Sequence, residues 1–212
     1  MLNRLFGRKQ PLVGTQLPVI RNVTLGRSMM LDPLAWRRFG DALLFPFDGD
    51  TLQIVAQGLV ELGEGGFIHR FYTDDHILFQ AVSNDREGQD LTDVTLFAPW
   101  ESAYPSSAAE RPAWRARLSA PDFTAQGLPE YRRFWFGDIA PVQEPVSFWE
   151  EVHDDRDGVV DRRIFQTCML FARNLTGEGR ELLLAIEQEN DVGEVSFEIM
   201  LGVALELGEF KA

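Results

Sequence analysis

The stretch EVSFEIMLGVAL, residues 194–205, places an apolar side chain at every second position. The apolar residues of this series are Val195, Phe197, Ile199, Leu201 and Val203. The positions between them begin with polar side chains: Glu194, Ser196 and Glu198. Successive side chains of a β-strand point to opposite faces, so a period of two predicts a strand with one buried face.

Four more strands are predicted in the C-terminal half. Residues 163–175 and 180–188 are largely apolar, and TGEG at 176–179 between them has the glycines of a hairpin turn. Both faces of these two strands are apolar in places, so we expect central strands covered on both sides. Two shorter strands are predicted at 131–136 and 146–152.

The N-terminal half also shows the alternating pattern of β-strands. Alternation from 52 to 62 predicts a long strand, and further strands are predicted at 67–73, 76–83 and 93–98. The segments between them are short and rich in Gly, Asp and Asn, which favour tight turns. Short turns join antiparallel neighbours, so this half is predicted to be a meander.

Residues 99–130 separate the two sets of strands and contain five of the eleven prolines. A short helix is predicted here, and the sequence offers two starts for it. One is a capping box formed by Ser107 and Glu110, and the other is Pro112 at the first helical position.

The predicted fold class is therefore mainly β, with an α+β arrangement left open. We expect antiparallel meanders that form two packed sheets or lobes, with a short helical segment between them. The chain of 212 residues is interpreted as one domain in four parts. These parts are a basic arm at 1–20, a first β block at 24–98, a Pro/Ala/Ser-rich helical bridge at 99–130 and a second β block at 131–207.

Charge excludes one class of partner. Thirty-three acidic against twenty basic residues give a net charge of −13, which disfavours nucleic acid because a phosphate backbone would be repelled. The sequence contains no apolar run of the roughly 20 residues that a membrane-spanning helix needs. Cys168 is the single cysteine and lies in an apolar run, so we expect a buried, inert thiol and a cytoplasmic protein.

The basic arm and an aromatic cluster are the predicted partner-binding residues. In the arm, Leu5 and Phe6 alternate with bases such as Arg8 and Lys9, a pattern that could dock on an acidic protein surface or make a peripheral membrane contact. Trp135 and Trp149 belong to the aromatic cluster, for which we expect core or interface packing. A homo-oligomer is compatible with the same interpretation.

One polar cluster could bind a metal. His69, Asp74, Asp75 and His76 lie around a predicted hairpin turn, and imidazole and carboxylate groups are common metal ligands. The same aspartates are also what a tight turn requires, so a purely structural turn is the competing interpretation. The sequence contains none of the common catalytic or nucleotide-binding signatures, and no cofactor is predicted.

Several motifs in order resemble the YjfK-like family of uncharacterised bacterial proteins. They are the basic start with LFG, HRFYTDD at 69–75, LF-x-x-W-x-x-x-YPSS across 96–107, Tyr131–Trp135 and the closing VSFEIMLGVAL. The resemblance implies a cytosolic bacterial protein without assigned activity or established site residues. It also implies a phage-shock-protein-A-like coiled-coil protein as a partner, because relatives are commonly encoded beside one.

These observations favour a non-catalytic interaction or adaptor protein, linked through the resemblance to a membrane-stress assembly. Two other hypotheses stay open. One is a small-molecule-binding β module, which needs an apolar pocket with a few converging polar groups. The other is a metal-dependent enzyme that uses His69, Asp74, Asp75 and His76.

Overall fold

A computed structural model describes residues 17–137, 140–175, 177 and 179–212. Its two α-helices are α1 (Leu34–Arg37) and α2 (Glu110–Ser119). Its strands are β1 (Ser28–Leu31), β2 (Thr51–Glu61), β3 (Phe67–Thr73), β4 (Leu78–Ser83), β5 (Leu91–Ala103), β6 (Asp122–Phe123), β7 (Tyr131–Arg133), β8 (Val146–His153), β9 (Arg162–Asn174), β10 (Arg180–Glu189), β11 (Val195–Ala204) and β12 (Phe210–Lys211). The mainly β class, the antiparallel meanders and the short helical segment are confirmed.

Eight of the strands close into a cylinder in the order β2-β3-β4-β5-β11-β10-β9-β8, and β8 pairs with β2 again. The N-terminal meander supplies β2 to β5, and the C-terminal half supplies β8 to β11. The two β blocks therefore join edge to edge along β5–β11 and along β2–β8. All of these pairs are antiparallel, as the short connections within each block predict.

The closed sheet has an apolar core on each face. Inside the cylinder, every one of its eight strands contributes to one cluster, with Val60, Phe97, Phe148 and Leu184 among its members. A second cluster lies on the outer face, where the segment around Trp36, helix α2 and the C-terminal strand β12 cover the sheet. Most strands of the cylinder are thus buried on both faces, as the apolar runs of β9 and β10 predict.

Helix α2 covers one part of the outer face. It starts at Glu110, whose carboxylate accepts hydrogen bonds from the backbone N and Oγ of Ser106, one residue before the predicted capping residue. Pro112 lies within the first helical turn, where a missing N–H costs little. Trp114 stacks on Phe197 of β11 with ring centroids 4.8 Å apart.

Two strand boundaries differ from the prediction for local reasons. The strand predicted at 131–136 ends at Arg133, because the backbone N–H groups of Phe134 and Trp135 both point to the carbonyl oxygen of Leu170 and the chain turns away there. The strand predicted at 76–83 begins at Leu78, because His76 has a φ of 61° and belongs to the preceding turn.

Among the described residues, the structure contains no helix that is long and apolar enough to cross a membrane.

Candidate functional site

A cavity of about 560 Å³ opens at one mouth of the cylinder. All eight strands of the closed sheet contribute to its lining, because it lies on the inner face. Its walls are mainly apolar and include Leu78, Ile164, Ile186 and Met200. Ligand sites in proteins have volumes of roughly 300–1,000 Å³ and combine apolar walls with a few polar groups, and this cavity falls within that range.

The arginine of a buried ion pair forms part of the cavity floor. Arg70 on β3 donates through Nη1 to Oε2 of Glu150 on β8 at 2.8 Å, and both side chains are almost completely buried. Gln166 accepts from the same Nη1 and donates through Nε2 to Glu150 at 2.9 Å. Gln80 accepts from Nε of Arg70 at 3.0 Å. Each charge of the pair is therefore hydrogen-bonded as well as neutralised, which an ion pair in a low-dielectric interior requires.

Tyr72 completes this network from the neighbouring wall. Its hydroxyl donates to Oε1 of Glu150 at 2.7 Å. Burial raises the pKa of Tyr72 well above its usual range, and the carboxylate of Glu150 raises it further. For Arg70, burial is the largest single effect and lowers the pKa. The charge of and hydrogen bond to Glu150, together with smaller contributions from Tyr72 and Cys168, outweigh it, so the pKa of Arg70 is raised. Arg70 therefore remains charged, and Tyr72 remains neutral, at physiological pH.

The ion pair between Arg70 on β3 and Glu150 on β8 requires a glycine on β2, the strand between them. Gly58 on β2 pairs with Arg70 on one side and with Val152 on the other. The carboxylate of Glu150 passes directly over it, and a Cβ at this position would lie 1.8 Å from Oε1. The missing side chain of Gly58 is what lets the ion pair extend from β3 to β8 across β2.

Glu198 is a charged group of the opposite wall. It lies on β11 opposite Ser102 of β5, and its Oε1 accepts a hydrogen bond of 2.5 Å from Nε2 of Gln188. Burial raises the pKa of Glu198, and the charge of Arg70 offsets part of this effect. At the rim, Arg162 pairs with Asp154 at 2.9 Å, and both of these side chains are about half exposed.

Cys168 lies on the inner face beside the floor. It is fully buried, as the sequence predicts. Burial raises the pKa of its thiol to about 12, so the thiol stays protonated and is a poor nucleophile.

The four residues of the predicted metal cluster are not brought together. His69 is buried near the Ser83 end of the β3–β4 hairpin, where its Nε2 lies 3.0 Å from Oγ of Ser83, and burial lowers its pKa. Asp74, Asp75 and His76 form the exposed turn at the other end of the hairpin. Within the described part of the chain, no group of three or more His, Cys, Asp or Glu residues could hold a metal ion. Of the four, only His76 lines the cavity.

The predicted partner-binding residues have different environments. Trp149 is 56% exposed and packs its ring against Phe165, and it lines a second groove with Leu62 and Phe148. Trp135 is half-buried between the two cores. Leu5, Phe6, Arg8 and Lys9 lie outside the described residues.

Sequence reasoning missed the residues that carry the network and the opposite wall. The alternation of β11 places Glu198 on the polar face of its strand without a site, and no site is predicted for Glu150 or Gln166. The sequence contains one indication of the site. Met200 and Gly202 lie on the same face of β11 as Glu198, and these residues are not typical of a solvent-exposed face. A polar residue on a strand with two buried faces must point into an interior.

Comparison with known proteins gives a family and one curated relative. The model of the family described as "Protein of unknown function (DUF2491)" matches residues 1–211. The chain is 29% identical to "Uncharacterized protein YjfK" of Escherichia coli (strain K12) over 213 residues, which cover 96% of this chain and 94% of that protein. No solved structure matches the chain.

Proposed function

Because the chain belongs to the family described as "Protein of unknown function (DUF2491)", whose name gives no activity, we propose a function from geometry: the protein binds a small organic molecule in the mouth of the closed sheet. The observation that carries this proposal is the combination of a cavity of about 560 Å³ with apolar walls and polar groups that converge on it from opposite sides.

The floor and walls of the cavity support binding because they are preorganised. Arg70, Tyr72 and Gln166 line the cavity and are fixed by their hydrogen bonds to Glu150, so a ligand would meet groups that are already in place. Preorganised groups need not be ordered when the ligand arrives, which lowers the entropic cost of binding. The mouth of a closed sheet is also a common position for ligand sites, because the strands fix its shape.

A protein-interaction function, the leading expectation from the sequence, is the second candidate. Trp149 is the observation that favours it, since a tryptophan that is 56% exposed and lines a groove together with Leu62 and Phe148 is typical of an interface anchor. A link to a membrane-stress assembly, and a phage-shock-protein-A-like partner in particular, rests on the family resemblance alone.

The first test uses a neutral fluorescent probe, N-phenyl-1-naphthylamine, whose emission increases in apolar sites. We expect saturable binding to the wild-type protein. Ser102→Trp should weaken binding by about tenfold or more, because the indole would fill the mouth beside Glu198. Fluorescence titration gives the dissociation constants of both proteins.

Ala103→Trp is the matched control. Ala103 is the next residue of β5, is also exposed and does not line the cavity, so this variant should bind the probe like wild type. Circular dichroism checks that both variants are folded. If the folded Ser102→Trp protein binds as tightly as wild type, or if wild type does not bind the probe saturably, the proposed function is wrong.

A further inference from the structure

The arginines of the cavity have ion-pair partners, but not all of its acidic residues do. Its two arginines are both paired, Arg70 with Glu150 and Arg162 with Asp154. Its two other carboxylates, Glu101 and Glu198, form no ion pair with any described residue. The cavity therefore presents an excess of negative charge to whatever occupies it.

Of these two carboxylates, Glu198 is the one placed to contact a ligand. Glu101 is exposed at the rim, close enough to Arg117 for their charges to interact. Glu198 is half-buried in the wall, and Gln188 donates a hydrogen bond to its Oε1. No described residue donates to Oε2, so one carboxylate oxygen remains available to a hydrogen-bond donor in the cavity.

An anionic ligand is disfavoured by the same arrangement. The cation on the floor, Arg70, already donates through Nε to Gln80 and through Nη1 to Glu150 and Gln166. An anion could bind this guanidinium only at Nη2, which has no acceptor among the described residues, and it would then share the cavity with the carboxylates of Glu198 and Glu101. Like charges in a partly desolvated site repel strongly, so such a ligand would lose affinity.

Resting on the function proposed above, we infer that the ligand is an organic cation: a small amine or guanidine with an apolar body. Its charged head binds Oε2 of Glu198, and its apolar body contacts the wall formed by Leu78, Ile164, Ile186 and Met200. A charge-assisted hydrogen bond of this kind is stronger than a neutral one, so it selects a cation over a neutral molecule of the same shape.

The carboxylate of Glu198 is also costly to the protein without a ligand. Burial raises its pKa, which means that the charged form is disfavoured in the empty cavity. A cation bound beside it would stabilise that charged form. A residue that lowers stability while it supplies the recognition charge is typical of a binding site.

The test uses three probes with one skeleton: 4-phenylbutylamine, 4-phenylbutanol and 4-phenylbutyrate. We expect the amine to bind wild type about tenfold more tightly than the alcohol, and the butyrate to bind most weakly. Glu198→Gln keeps the shape and the acceptor for Gln188 but removes the charge, so the amine and the alcohol should then bind about equally. Calorimetric titration at neutral pH gives the affinities.

Glu87→Gln is the control for net charge. Glu87 is exposed and does not line the cavity, so this variant should keep the preference for the amine. A thermal melt adds a second readout, in which Glu198→Gln should unfold at a higher temperature than wild type at neutral pH because a disfavoured charge is gone.

The outcomes separate the inference from the proposed function. If the alcohol or the butyrate binds wild type as tightly as the amine and Ser102→Trp blocks it, the cavity binds ligands but the inference of a cation is wrong. The inference also fails if Glu198→Gln keeps the tenfold preference. If none of the three probes binds in a way that Ser102→Trp blocks, the proposed function fails together with it.

Discussion

Arg70→Met is expected to lower the free energy of unfolding by about 3–5 kcal/mol, because it leaves the buried carboxylate of Glu150 without its cation. Methionine fills most of the space of the arginine stem, so the loss comes from the charge and its hydrogen bonds. Gln80 loses a donor as well, which adds the cost of an unsatisfied buried group. Urea denaturation, followed by tryptophan fluorescence, measures the change.

Arg162→Met is the matched control. Arg162 forms an ion pair of almost the same length with Asp154, but both side chains are about half exposed at the rim. Water screens such a pair, so we expect this variant to lose about 0–1 kcal/mol. Equal losses in the two variants would contradict the argument that burial makes the Arg70–Glu150 pair important.

Gly58→Ala is the second substitution with a large expected effect, although it adds only a methyl group. Its Cβ would lie 1.8 Å from Oε1 of Glu150, and Arg70, Gln166 and Tyr72 hold that carboxylate in place. Either the carboxylate leaves its partners or the β2–β8 pairing shifts. We expect a loss of about 3 kcal/mol or more, at the upper end of what overpacking costs.

Gly63→Ala is the control for the glycine itself. Gly63 follows the end of β2 and does not require a positive φ, and a Cβ added to it would have no described atom within 4 Å. Its replacement should change the unfolding free energy by no more than about 0.5 kcal/mol. A similar small change in Gly58→Ala would mean that Glu150 can move freely, and would contradict the fixed network.

The two large effects should not be additive. Arg70→Met removes one of the groups that hold Glu150, so the carboxylate can move away from a Cβ at position 58. The double variant should therefore lose at least about 1 kcal/mol less than the two single losses together. Simple additivity would show that the two substitutions act on separate features.

The strands were predictable because each depends on a local pattern. The alternation that ends in Leu201 and Val203 predicts β11 from neighbouring residues alone, and β2 follows from the same period. The short strands β1 and β12 were missed, since two to four residues are too few to show a period. Closure was not predictable either, because pairing between β2 and β8 depends on backbone edges that carry no side-chain signature.

The candidate site was hidden for a related reason. Arg70 follows His69 of the predicted polar cluster in the sequence, but its partner Glu150 lies 80 residues further along the chain. Alternation assigns Glu198 to the face opposite the apolar residues, and that assignment is correct. This face becomes the interior of the protein only because the sheet closes. Whether a polar residue on it is solvent-exposed or lines a cavity therefore cannot be read from neighbouring residues in the sequence.

The short pairing between β2 and β8 also has a kinetic consequence. It extends only from Gln57 to Val60 on β2, less than any other pairing of the cylinder, and it joins parts of the chain that are far apart in sequence. Closing such a long loop is entropically costly before its contacts form, so we expect this seam to close last in folding. Stopped-flow measurements on Arg70→Met should then show faster unfolding with a nearly unchanged folding rate. The ion pair over Gly58 would therefore slow the opening of the closed sheet and leave the rate at which the sheet forms nearly unchanged.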